Sequence, residues 1–95
     1  MSYTNKHKEK LYDECIKKWG AQSQATLAME EAAEFIQAMS KHLRFNSFDS
    51  HEALAEELCD LRLMLNQVEV AYGMRKKCQR FEDWKLKRLE GRLED

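Results

Sequence analysis

Residues 23–43, SQATLAMEEAAEFIQAMSKHL, decide the fold class. At helical spacing Ala25, Ala28, Met29, Ala32, Phe35, Ile36, Met39 and Leu43 share one broad face, the pattern of an amphipathic core helix. The rest of the chain agrees with it. There is no proline and there are three glycines among 95 residues, so little in the composition interrupts helices. The expected fold is an all-α antiparallel bundle of about four helices in a single domain spanning residues 1–95.

Working outward, a first helix is expected from about Ser2 or Thr4 to Trp19, with Leu11, Cys15, Ile16 and Trp19 on its apolar stripe and Gly20 as its stop. On the other side, Arg44–Ser50 (RFNSFDS) reads as a loop, because Asn, Ser and Asp favour turns and caps. Asp49 followed by Glu52 suggests a capping box for a third helix that runs to Tyr72 and stops at Gly73. In that helix Leu54, Leu58, Leu61, Leu65 and Val68 form the main stripe, while Leu63, Met64, Val70 and Ala71 make other sides apolar. Such a helix needs cover on more than one face, and a chain this short hides only about 60% of its unfolded surface alone. A homo-oligomer, at least a dimer, is therefore expected. A fourth, more exposed helix is expected over about Arg75–Leu93.

Charge narrows the partners. The net charge is −1, which points neither to nucleic acid nor to an anionic membrane. The distribution is uneven: Thr26–Leu61 holds eight acids and two bases, whereas Arg62–Arg92 holds nine bases and four acids. An acidic centre beside a basic tail suits a site for metal plus phosphate, and solvated faces of opposite sign give the same count. Cys15, Cys59 and Cys78 form no CxxC pair, which argues against a zinc site or disulfide framework and for a reducing, cytoplasmic setting. No segment approaches the ~18 apolar residues of a membrane span.

The acids that stand out are Glu31 and Glu34 in the second helix and Glu57 and Asp60 in the third. Each pair is spaced three apart on a border of the apolar stripe, and no Lys or Arg lies three or four positions from any of them. Facing each other without cations, four such groups would repel and have their pKa values raised. Magnesium, which prefers carboxylate oxygens and retains waters and substrate phosphates, resolves that conflict. Acidic pairs three apart are also common on solvated helix faces.

Glu30-Glu31-Ala32-Ala33-Glu34 followed by Glu56-Glu57-Leu58-Cys59-Asp60 resembles the EExxE…ExxD signature of the MazG-like all-α nucleoside triphosphate pyrophosphohydrolases. The similarity extends to Trp19-Gly20, Gln24, the AEEL-CDLRLML stretch, Gly73 and the final KLKRLEGRL. It implies hydrolysis of a nucleoside triphosphate, often a deoxy or non-standard one, to monophosphate and pyrophosphate. It further implies Glu31, Glu34, Glu57 and Asp60 as ligands of Mg2+, with Mn2+ able to substitute, and Glu30 and Glu56 as supporting acids that orient a ligand or accept a proton. Dimers or tetramers with the site near a subunit interface are also implied.

For the substrate, Lys41, Arg44, Lys85 and Arg88 are candidates to hold phosphate oxygens. Trp19 is placed either to stack on a base or to continue the core stripe, and Gln24 offers an amide to a base edge. His7, His42 and His51 have no partner at ligand spacing and receive no role; Met29, Met39 and Met64 read as core fillers. The fourth helix departs from larger family members in being short and strongly basic, which bears on base recognition more than on catalysis. Two other functions fit the same residues: a phosphoribosyl-nucleotide pyrophosphohydrolase and a non-catalytic helical dimerisation or regulatory module.

Overall fold

The structure is a computed structural model that describes residues 2–95, all of whose regular elements are helices: α1 (Asn5–Trp19), α2 (Ala21–Phe45), α3 (Phe48–Ala71) and α4 (Arg75–Glu94). The Thr4 side chain caps α1 by accepting the His7 N–H at 3.1 Å. The single residue Gly20 then ends α1 and begins α2. Its N–H donates to the Ile16 carbonyl and its own carbonyl accepts the Gln24 N–H. Gly20 does this at φ 90°, ψ 152°, a region that is essentially closed to residues with a Cβ.

The link between α2 and α3 is shorter than the expected Arg44–Ser50 loop and consists of Asn46 and Ser47 alone. Asn46 takes the left-handed conformation (φ 44°, ψ 48°), which a short polar side chain tolerates. The capping box is made by Ser47 and Ser50, not by Asp49 and Glu52: each serine hydroxyl accepts the other's backbone N–H, at 3.0 and 3.1 Å. That reciprocal cap starts α3 before Asp49, which falls in the first turn, where its charge suits the helix dipole. At the far end Gly73 (φ 63°) permits the Met74 N–H to close back onto the Glu69 carbonyl at 2.8 Å, a Schellman-type stop.

Two helices of 25 and 24 residues joined by two residues must run antiparallel, and α2 against α3 is the main packing interaction. Ala28, Ala38, Gln24 and Gln67 are buried along this seam. Helix α1 packs chiefly on α3, with Tyr12 buried. Arg75 fastens the start of α4. Its guanidinium pairs with Glu9 of α1 and with Glu69 of α3, donates to Asn66 Oδ1 at 2.7 Å, and lies 5.6 Å from the Tyr12 ring centroid. Beyond Arg75, α4 has contacts only with α3, and its Phe81, Trp84, Leu86, Leu89 and Leu93 are exposed.

Several residues expected in the core lie outside it. Met29, Ile36 and Leu43 on α2 are exposed, Ile36 at 66% and Leu43 at 75%, and so are Leu58 and Leu65 on α3, in line with the exposed Tyr72 at its C-cap. Both sets repeat every seven residues. At about 100° per residue each set falls to one side of its helix's buried face, and in antiparallel neighbours those two borders lie on the same side of the pair. Trp19 is likewise exposed, its ring 5.3 Å from the Lys18 ammonium, so it does not continue the α1 core stripe.

The accessible surface of 7950 Å² exceeds the ~5,700 Å² typical of a folded monomer of 11.3 kDa. The radius of gyration, 16.0 Å, similarly exceeds the ~12 Å of a compact domain of this length.

Because a Cβ at Gly20 or Gly91 meets nothing within 4 Å, only backbone conformation separates the two sites. Gly20→Ala should cost about 1–3 kcal/mol in urea unfolding, whereas Gly91→Ala inside α4 should be neutral or stabilise by up to ~1 kcal/mol. Equal effects would contradict this account of the α1–α2 corner.

Candidate metal centre

The two-residue link also sets the register that brings acids together. Glu31 and Glu34 lie 15 and 12 residues before Asn46, and Glu57 and Asp60 lie 10 and 13 residues after Ser47, so antiparallel pairing makes them nearly level. Glu31, Glu57 and Asp60 each bring one carboxylate oxygen to within 4.8 Å of the others. All three are partly buried, and Glu31 Oε2 and Glu57 Oε2 are shut off from solvent with no hydrogen-bond partner. Glu34 is exposed at the rim of this triad.

The electrostatic consequence follows directly. Desolvation pushes the Glu31 carboxyl above its usual pKa, and the charges of Glu34 and Asp60 push it the same way. Desolvation is also the first cause for Glu57, with the charges of Glu34 and then Glu31 adding to it. Among the described residues no Lys or Arg forms a salt bridge to the triad. The arrangement therefore has carboxylate oxygens, negative potential and two unused buried acceptors, a donor set that suits a hard divalent cation.

The supporting acids stand apart. Glu30 and Glu56, adjacent in sequence to Glu31 and Glu57, are exposed and outside the triad, since a single residue step turns an α-helix by about 100°. A groove of about 580 Å³ begins at Glu34 and Glu57 and runs toward the α2–α3 link, with Lys41 on its wall. Arg44 is exposed, 5.4 Å over the Phe45 ring. Lys85 and Arg88 are on α4, with Arg88 4.9 Å over the Trp84 ring, and α4 does not contact α2. Within one chain they are not gathered to the acids. Gln24 is buried in the seam, with 3% of its surface exposed, and does not offer its amide to a ligand from this position.

Other residues near the site received no functional role from the sequence. His42 Nδ1 lies 2.8 Å from Ser50 Oγ, with the His51 ring centroid 5.5 Å away, so this pair ties the last turn of α2 to the first turn of α3. Ser50 and Asp49 line the groove opposite Lys41. Their proximity depends on the cap at Ser47, which periodicity does not reveal.

Compared with protein-family profiles, with curated proteins and with solved structures, the chain finds no match. Among the described residues no helix is long and apolar enough to cross a membrane.

The raised carboxyls have a sign that can be measured. With folded-state values above the ordinary 4.5, the native state binds more protons than the unfolded state once pH passes 4.5, so these groups lower stability as pH rises through that window. In EDTA, Glu57→Gln should raise Tm at pH 7, and the gain should vanish below about pH 4.5. Saturating Mg2+ should reverse the order, with the parent protein the more stable. A pH-independent difference in EDTA would contradict the electrostatic account.

Proposed function

We propose that this chain is a magnesium-dependent, MazG-like nucleotide pyrophosphohydrolase that works as a homo-oligomer. The observation that carries the reading is the coincidence of two independent facts. Three residues of the EExxE…ExxD pattern, Glu31, Glu57 and Asp60, bring oxygens together from α2 and α3, and two oxygens of that triad are buried without partners. A merely solvated acidic face would hydrate every oxygen.

Glu31, Glu57 and Asp60 would hold Mg2+, with Glu34 adding oxygen from the rim. The ion, when bound, supplies charge neutralisation for a triphosphate and acidifies a coordinated water for attack on phosphorus. The chain's own part is mainly positioning. α2 and α3 hold the carboxylates on rigid helices, which keeps reacting groups aligned more reliably than loops would.

The assembly follows from surface that one chain leaves uncovered. The Met29/Ile36/Leu43 and Leu58/Leu65/Tyr72 rows form an apolar face along α2 and α3, while the acids lie toward the other border of the pair. The excess of accessible surface over a compact monomer, about 2,200 Å², is of the order that one protomer of an obligate dimer covers. A second copy supplies the same face and satisfies both. The non-catalytic module reading shares this apolar face, but it leaves the two buried, unpartnered carboxylate oxygens unexplained.

With Mg2+ and a panel of canonical and modified triphosphates, the protein should release nucleoside monophosphate and pyrophosphate. Glu57→Gln should lower the rate at least about a hundredfold while its circular dichroism stays helical. Inorganic phosphate as the sole product, or equal turnover by the variant, would overturn the reading. In light scattering the parent should show a multiple of 11.3 kDa. Ile36→Glu with Leu65→Glu should shift the protein toward monomer; an unchanged mass would place the interface elsewhere.

A further inference from the structure

The groove that starts at Glu34 and Glu57 continues past Ala38 and Ala53 to Lys41 and Asp49, and nothing in the proposed chemistry has yet used its far half. Three properties describe what fits there. The first is charge. If Glu34 and Glu57 serve the cation, the remainder of the groove presents one ammonium, Lys41, and one carboxylate, Asp49. Neither forms a salt bridge among the described residues. A balanced pair suits a neutral occupant and opposes the di-anionic tail of a triphosphate, which Asp49 would repel.

The second is length. Seven residues of α2 separate Glu34 from Lys41 and eight of α3 separate Asp49 from Glu57, which at the helical rise is about 10–12 Å. That is the reach from the α-phosphorus of a nucleotide to the far edge of its base. The third is shape and chemistry. Ala38 and Ala53 leave room for a flat ring, and the exposed Phe45, with the Arg44 guanidinium 5.4 Å from its ring centroid, adds an aromatic side chain at the groove's end. Asp49, when ionised, can only accept hydrogen bonds, so the edge it meets must donate.

We infer that this groove is the nucleoside subsite, and that Asp49 selects bases bearing an exocyclic amino group over those with a carbonyl in its place. The inference rests on the pyrophosphohydrolase reading and deepens it by naming the substrate class. It also orients the substrate: the nucleoside lies toward the α2–α3 link, and the distal phosphates extend from the carboxylates in the opposite sense.

Cytosine and uracil are close to isosteric and differ where the inference needs them to, as do adenine and hypoxanthine. With Mg2+, kcat/KM of the parent protein should favour dCTP over dUTP and dATP over dITP by at least about tenfold, the worth of one charge-assisted hydrogen bond. Asp49→Asn, with circular dichroism as the check on folding, should shrink both ratios to within about threefold, mainly by raising KM for dCTP and dATP. Independently of turnover, titration with dCMP and Mg2+ should shift the amide resonances of Lys41, Asp49 and Ala53.

A parent protein that hydrolyses triphosphates but has no such preference, or whose preference survives in Asp49→Asn, would overturn the subsite and leave the activity standing. Amide shifts confined to α1 or α4 would do the same. A parent that hydrolyses no triphosphate would overturn the proposed function, and the subsite with it.

Discussion

The structure depends on the antiparallel pairing of α2 and α3 across a two-residue link. A link so short leaves almost no freedom in how far one helix slides along the other, so register is set by local chemistry at Asn46 and Ser47. Asn46 supplies the left-handed turn, and the Ser47–Ser50 box fixes where α3 begins. Everything that gives the site its character follows from that register: the level of the four acids, the convergence of Glu31, Glu57 and Asp60, and the groove between Glu34, Lys41, Glu57 and Asp49.

The same pairing explains why the carboxylates are unstable neighbours. Packing two helices with acids on their borders removes water from Glu31 Oε2 and Glu57 Oε2 without replacing its hydrogen bonds. Buried polar groups are ordinarily paired, and an unpaired one costs free energy. The fold therefore stores an electrostatic conflict at its centre and keeps it rigid on two long helices. A proton or a bound cation removes it, and the raised carboxyls of Glu31 and Glu57 are its electrostatic signature.

Around that hairpin the remaining helices play different parts. Helix α1 is joined to α2 by one glycine and covers part of α3, and Arg75 draws α1, α3 and the root of α4 into a single ion-pair network. Past Arg75, α4 is an amphipathic helix with little to rest on, its aromatic and leucine side chains open to solvent. Together with the exposed rows on α2 and α3, it leaves one chain with apolar surface that its own packing does not cover.

What the sequence determined by itself was the kind and order of elements, because helical periodicity, the absence of proline, and Gly20 and Gly73 at the breaks act over a few residues. It also singled out Glu31, Glu34, Glu57 and Asp60, since spacing on a helix shows which side chains share a border; the fold brings three of them together and leaves Glu34 at the rim. Tertiary structure decided which borders meet. Periodicity counts Ile36 and Leu43 with Phe35 on one broad apolar face, yet only contact with α3 separates the half-buried Phe35 from its exposed neighbours. It likewise separates Glu31 from Glu30, gathers Lys41 and Asp49 into one groove while leaving Lys85 and Arg88 away from it, and takes Gln24 into the seam. Those outcomes depend on distances between residues far apart in the chain, set by packing and by a cap at Ser47, and no local pattern encodes them.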